Sequence, residues 1–334
     1  MEEIRAHASI GRMAVHETAL LPGNVGKILD DRSINVHTLT VGGGYVWAGF
    51  SIRPSLLIRM DPDSLEYEKI QIPDTGGLHC LCYDGRYLWI SHSSGHLTRF
   101  DPLYGSHETI ELWVRGRSEG VREKAFAYVC TTAFDRIWIG VYNDPGRLLA
   151  VDKETGEYEE VALPDTPSHS VRSLCFDGQS IWVSIYSSPA SLIEVHATTG
   201  EVRQVIRLEP SLILGDPLAF DGQHIWQGFD TMPAKVVRVD RESGLYTSHS
   251  LHPLSSCVRA LAYDGSSLWI GLYTRPAEIA RLNPETKDFV IYRLPKDFRY
   301  VRALDWDGKY VWVALQNLRS GPSGIYRILP EGES

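Results

Sequence analysis

The sequence predicts an all-β fold, a seven-bladed β-propeller with four antiparallel strands per blade, from three observations. A tryptophan preceded by a strongly apolar residue recurs seven times, at Trp47, Trp89, Trp138, Trp182, Trp226, Trp269 and Trp312, at spacings of 42 to 49 residues. The stretch Phe176 to Pro210 reads as one complete unit: a strand ending in Asp-Gly, a strand carrying Trp182, a Pro-containing loop, an alternating strand, a Thr-Gly turn and a last strand closing on Leu-x-Pro. Asp-Gly pairs return at one place in the unit, between its first and second strands, at Asp84, Asp177, Asp221, Asp264 and Asp307. A four-stranded repeat of about 40–50 residues fits a propeller blade, whereas solenoid repeats are mostly shorter or helical.

Each element follows from residue chemistry. A tryptophan at this position is expected to wedge between neighbouring blades, where burying its ring contributes on the order of 4–6 kcal/mol of gross burial energy. Asp-Gly tolerates the positive φ of a tight hairpin. The turns DPDSLEY, DKETGEY, DRESGLY and NPETKDF between third and fourth strands are turn signals, not catalytic carboxylates. Residues 13 to 22, MAVHETALLP, match later fourth strands, and the last repeat stops after GIYRILP at Gly324 to Pro330. The N-terminal strand Met13 to Pro22 is therefore expected to complete the last blade and close the ring, removing two exposed edges. One connection is long: Glu111 to Val129 adds a basic stretch with Arg115, Arg117, Arg122 and Lys124 on the top face, either a solvated loop or a lid or ligand-contacting loop.

The chain has 334 residues, 43% of them hydrophobic, and the repeat uses nearly all of it, so one domain spanning residues 1 to 334 is expected. A formal charge of −9 argues against general nucleic-acid binding. No apolar run of about 18 residues marks a membrane helix and the N-terminus lacks a signal-peptide core, which points to a cytoplasmic, monomeric protein. Five cysteines without paired spacing, Cys80, Cys82, Cys130, Cys175 and Cys257, fit reduced thiols.

Function is sought in two polar columns. Aligning the first strands on the residue before Asp-Gly and stepping back four places gives His37, His79, Cys130, Arg172, Asp216, Arg259 and Arg302. Four residues after each tryptophan stand Ser51, Ser93, Tyr142, Tyr186, Asp230, Tyr273 and Gln316. Both columns are expected at the channel mouth, one on the starts of inner strands and the other on the ends of second strands. Between them, two residues after each tryptophan, every residue is Gly, Ser or Ala, as crowding requires. Structural positions in a repeat converge on one residue type, while these columns stay polar and change charge from blade to blade, as one asymmetric pocket would demand. A water-filled mouth that accepts any polar residue is the alternative. Arg172, Arg259 and Arg302 suit a carboxylate or phosphate; Tyr142, Tyr186 and Tyr273 offer hydroxyls and flat faces; Asp216 and Asp230 either contact ligand or serve as counter-ions. His37, His79 and His92 are candidates for general base.

The unit DGxxxWxGxYxxPAxLxxxDxxTGExxxxxLP resembles the repeats of streptogramin B lyase-like proteins and of the two-component-regulator propeller, over nearly the whole chain. The resemblance implies a seven-bladed propeller and, in the lyase, opening of a cyclic depsipeptide by elimination with Mg²⁺. His37 and His79 match the lyase histidine position, in the contexts NVHT and GLHC, without its Pro-His-Gly motif. No Glu follows any of the seven tryptophans where the lyase has one; Asp230 and His92 stand nearest. Two classes of function follow. One is a lyase or lactonase-like hydrolase acting on an anionic or cyclic small molecule. The other is a non-catalytic propeller that binds a ligand or a partner's acidic segment.

Overall fold

The computed structural model describes residues 36–330, except 74, 117, 165–169, 252–254, 295–297 and 317–322, together with the backbone of the strands Ala19–Leu20 and Gly26–Asp31. Every described element is a strand. Five four-stranded antiparallel sheets follow in chain order, with inner strands Val36–Gly42, Leu78–Tyr83, Ala127–Ala133, Ser170–Phe176 and Gly215–Phe220. A two-stranded hairpin, Trp113–Arg115 with Arg122–Lys124, stands apart, and a nine-stranded sheet holds the rest: two further meanders, with inner strands Ser256–Tyr263 and Tyr300–Trp306, share the single residue pair Tyr273 and Tyr300. The inner strands pack side by side in a circuit that returns from Tyr300–Trp306 to Val36–Gly42. This is the architecture of a β-propeller.

The tryptophans hold the sheets together. All seven are buried to at most 1% exposure, and each packs across a seam: Trp47 sits among Leu78, Leu81 and Leu88 of the second sheet, and Trp312 among Val36, Val46 and Phe50 of the first. The Asp-Gly turns have a second role. The Oδ2 atoms of Asp84, Asp177, Asp221, Asp264 and Asp307 accept the indole N–H of Trp89, Trp182, Trp226, Trp269 and Trp312, at 2.5 to 2.9 Å. The small column is explained by its neighbours. A Cβ on Gly140 would lie 2.5 Å from Val129 and Val171, and one on Gly228 would lie 2.4 Å from Val258, an inner-strand residue of the next sheet. In the third-to-fourth strand turns, the Oδ1 atoms of Asp61, Asp152, Asp240 and Asn283 accept backbone N–H groups two and three residues on, which confirms them as turn formers.

The strand expected to close the ring differs. Gly26–Asp31, not Met13 to Pro22, pairs antiparallel with Ser323–Ile328. Of residues 13 to 22 only Ala19–Leu20 falls among the described residues, and it pairs parallel with Tyr292–Arg293 in the preceding meander. Sequence likeness to other fourth strands selected the Leu-Pro ending. Proximity decided the pairing, since only four residues separate Asp31 from the inner strand at Val36. Side-chain contacts reinforce that seam: Val36 N–H donates to Ser323 Oγ at 3.2 Å and Val41 N–H to Asp305 Oδ2 at 2.8 Å. The five cysteines are free.

Candidate functional site: the channel mouth

The mouth is built by a repeated backbone irregularity. Each inner strand loses register with its neighbour at the same level: between Val36 and Thr38, Leu78 and Cys80, Ala127 and Val129, Val171 and Ser173, Gly215 and Leu218, Val258 and Ala260, and Val301 and Ala303; the strand Ser256–Tyr263 shifts a second time, between Ser256 and Val258, at Cys257. The residues left unpaired at this level are His37, His79, Tyr128, Arg172, Asp216, Arg259 and Arg302, with Pro217 beside Asp216. A bulge leaves one residue outside the ladder and re-aims its side chain, so these residues line one central cavity.

The third member is therefore Tyr128 and not Cys130, which is buried with its carbonyl 3.6 Å from Cys80 Sγ. The error has a local cause. Ala133 pairs with Arg136 across two residues, whereas Phe176 pairs with Ile181 across four, so counting from the turn overshoots by two. Counting back ten residues from each tryptophan finds all seven mouth residues, because the tryptophan's strand fixes the register.

Three arginines and two aspartates share the mouth in an uneven way. Asp216 Oδ2 accepts from Arg172 at 3.3 Å and from Arg259 at 3.0 Å. Asp230 Oδ2 accepts from Arg259 at 3.1 Å and from the Tyr186 hydroxyl at 3.3 Å, and its Oδ1 accepts from the Cys257 thiol. Arg172 is also boxed by rings, 4.7 Å from the centroid of Tyr128, 5.4 Å from Tyr142 and 4.6 Å from Tyr186. Its pKa is raised: burial pulls it down, but Asp216 and the tyrosines outweigh that. Arg302 differs. Among the described residues it meets no carboxylate; its Nη2 donates to His37 Nε2 at 2.7 Å and, more weakly, to the Tyr128 hydroxyl at 3.5 Å.

The histidines are neutral for identifiable reasons. Arg302 Nη2 lies 2.7 Å from His37 Nε2 and 3.2 Å from Nδ1, and Nδ1 lies 3.1 Å from the His79 carbonyl; since a carbonyl can only accept, the proton is assigned to Nδ1 and Nε2 takes the bond from Arg302. Burial, then Arg302, holds its pKa well below the ordinary value. His79 lies edge-on to His37 at 4.5 Å and against Phe126 at 4.8 Å; burial, then Arg302 and Arg172, brings its pKa to about 4, and its buried Nδ1 has no hydrogen-bond partner among the described residues. His92 lies elsewhere. It is fully buried between the first and second sheets, with Nδ1 3.1 Å from Ser55 Oγ and Nε2 2.9 Å from Thr98 Oγ1. Strand alternation turns it away from Ser93, so neither ring nitrogen faces the mouth.

A cavity of about 440 Å³ opens among His37, Tyr128, Arg172, Arg259, Arg302, Tyr273, Tyr300 and Gln316. Tyr300, absent from both sequence columns, packs on Tyr273 with ring centroids 5.4 Å apart, and its hydroxyl donates to Gln316 Oε1. Residues from the basic stretch form a separate hairpin, Trp113–Arg115 against Arg122–Lys124, beside a larger hollow of about 710 Å³. Trp113 N–H donates to the Tyr158 hydroxyl at 2.9 Å, and Lys124 pairs with Glu111 at 3.3 Å. That hollow contains none of the mouth residues; past the hairpin's end, Phe126 packs on His79 and Tyr128 lines the mouth.

The residues do not fit Mg²⁺. Among the described residues no three His, Cys, Asp or Glu side chains converge as a ligand set, and both mouth carboxylates are bound to guanidinium groups.

No protein-family model and no curated protein matches the chain. Among solved structures it is similar to the β-propeller domain of Cps50 (Swd1) from Myceliophteria thermophila, with 14% sequence identity and a TM-score of 0.69 over 90% of this chain and 99% of that one. At that identity the likeness establishes the fold and leaves function to the site. It supports a β-propeller and adds nothing to the streptogramin lyase-like resemblance.

Proposed function

Starting from that fold and that mouth, we propose that this protein is a seven-bladed β-propeller whose channel mouth binds an anionic small molecule. The observation that carries the reading is Arg302. Arg172 and Arg259 are neutralised by Asp216 and Asp230, while among the described residues Arg302 bonds only to a neutral imidazole and a hydroxyl. A partly buried guanidinium without a counter-ion favours an anion that supplies one, and a hydrogen bond to a charged group contributes about 1.5–3 kcal/mol. In this reading the protein is a cytoplasmic monomer without nucleic-acid or membrane partners.

Titration calorimetry with inorganic phosphate and acetate tests it. Arg302→Gln should weaken binding at least about tenfold. Arg203→Gln, whose parent pairs with Glu194 at 3.7 Å outside the mouth, should leave it unchanged. Equal losses in both variants would reduce the effect to overall charge.

One observation favours catalysis as a second reading: His79 is neutral, and one of its ring nitrogens lacks a partner. An anion beside it offsets Arg302 and Arg172 and raises its pKa, so a bound substrate strengthens it as a base for elimination or ring opening. His37 is the poorer candidate because Arg302 occupies its lone pair. With lactones and β-substituted acids as substrates, His79→Ala should lose about 100- to 10,000-fold in rate while keeping its ligand affinity. An undiminished rate would remove His79, and absence of turnover would leave binding alone.

A further inference from the structure

We propose that the ligand is an aromatic monocarboxylate, held with its carboxylate on Arg302 and its ring against the wall formed by Tyr273 and Tyr300. The proposal rests on the anion-binding reading and narrows it to one chemical class.

The charge pattern sets the number of negative groups. Two of the three guanidinium groups already meet carboxylates. One cation remains, so a ligand with one negative charge is matched, and a second charge would lie in the mouth without a partner. The shape of the cation selects its form. Arg302 is steered by a relay in which His37 Nδ1–H donates to the His79 carbonyl and His37 Nε2 accepts from Arg302 Nη2. Among the described residues, Nε and Nη1 of Arg302 bond to no protein acceptor, and a planar fork of donors suits a planar carboxylate.

The rest of the ligand is specified by which rings are open. Arg172 lies over the faces of Tyr142 and Tyr186, which removes the flat surfaces the sequence offered there. Tyr273 and Tyr300 line the same cavity as Arg302, tilted 39° to each other at 5.4 Å, and among the described residues no arginine lies over either ring. The hydroxyl of Tyr300 is anchored on Gln316, which fixes that ring as a wall. A rigid aromatic wall beside a single cation recognises a flat apolar body joined to one carboxylate.

The experiment measures affinities of benzoate, cyclohexanecarboxylate, acetate and benzamide by titration calorimetry on the full chain. Benzoate should bind about tenfold or more tighter than acetate and several-fold tighter than cyclohexanecarboxylate, and benzamide should bind weakest of the ring compounds. Tyr300→Leu should erase the preference for benzoate over cyclohexanecarboxylate while acetate binds as before. Tyr273→Leu should do the same, which guards against one variant failing to fold. Arg302→Gln should weaken all three carboxylates and spare benzamide. If benzoate and acetate bind equally, or benzoate and cyclohexanecarboxylate do, the aromatic proposal is overturned and the anion site stands. If no carboxylate or phosphate binds, both fall together.

Discussion

Asp305 shows how one residue can set a pH dependence at the seam that closes the ring. Its Oδ2 accepts Val41 N–H and its Oδ1 accepts Trp306 N–H, both at 2.8 Å, and burial pushes its carboxyl up to about 6. A raised carboxyl pKa means that the folded state prefers the protonated form. Its contribution to stability is therefore full below about pH 4 and lost as pH rises through about 6, amounting to at most about 3 kcal/mol. Asp305→Asn stays neutral throughout, so wild type should lose stability relative to the variant between pH 4 and pH 7. Urea unfolding at the two pH values measures this, and parallel profiles would show that Asp305 does not titrate as described. The depressed pKa of His79 acts in the opposite sense, giving stability above about 6.5 that is lost as pH falls through about 4.

At the scale of one element, the hairpin between first and second strands decides both stability and legibility. Asp177 accepts the N–H groups of Gln179 and Ser180 and the indole N–H of Trp182. Asp177→Ala strips three donors of their partner, and a buried orphan donor costs about 1–3 kcal/mol, so a loss of about 2–4 kcal/mol is expected. The third sheet is a natural control. Its two-residue hairpin leaves Trp138 Nε1 without a hydrogen-bond partner among the described residues, and Asp135 is exposed. Asp135→Ala should therefore cost less than about 0.5 kcal/mol. Chemical denaturation of the two variants would refute the turn's role if they lost the same stability. The same shortened hairpin hid Tyr128, because an alignment anchored on the turn carries any change in turn length into the inner strand.

For the whole molecule the question is what closes the circuit. Gly26–Asp31 covers the edge of Ser323–Ile328, and an uncovered edge strand invites pairing between chains. Deleting residues 1 to 25 should leave a monomeric protein with cooperative unfolding, while deleting residues 1 to 31 should produce aggregation or a broadened transition. Light scattering and thermal unfolding would separate the two. Identical behaviour of both truncations would show that the strand at 26 to 31 does not close the ring. The circuit also brings Arg302 beside His37, 265 positions apart in the chain, so damage at the seam should reach the mouth as well.

The sequence by itself determined the repeat, the all-β class, the seven interblade tryptophans, the turn residues, the small column and six of the seven unpaired inner-strand residues at the mouth. These were legible because each follows from a local rule applied at a fixed spacing: ring burial, positive φ at Asp-Gly, crowding near an axis, and polarity kept where packing alone would favour apolar side chains. Tertiary structure decided which charges cancel, which cation is left, and which strand covers the last edge. Asp216 lies 44 residues from Arg172 and 43 from Arg259, and spacing cannot tell a counter-ion from a ligand contact. By sequence Tyr142 and Tyr186 offer open aromatic faces; in the fold Arg172 lies over both. By sequence His92 is a candidate base; in the fold both its nitrogens are engaged between sheets. Such outcomes depend on distances of about 3 Å between residues brought together by ring closure, and no local pattern in the chain encodes them.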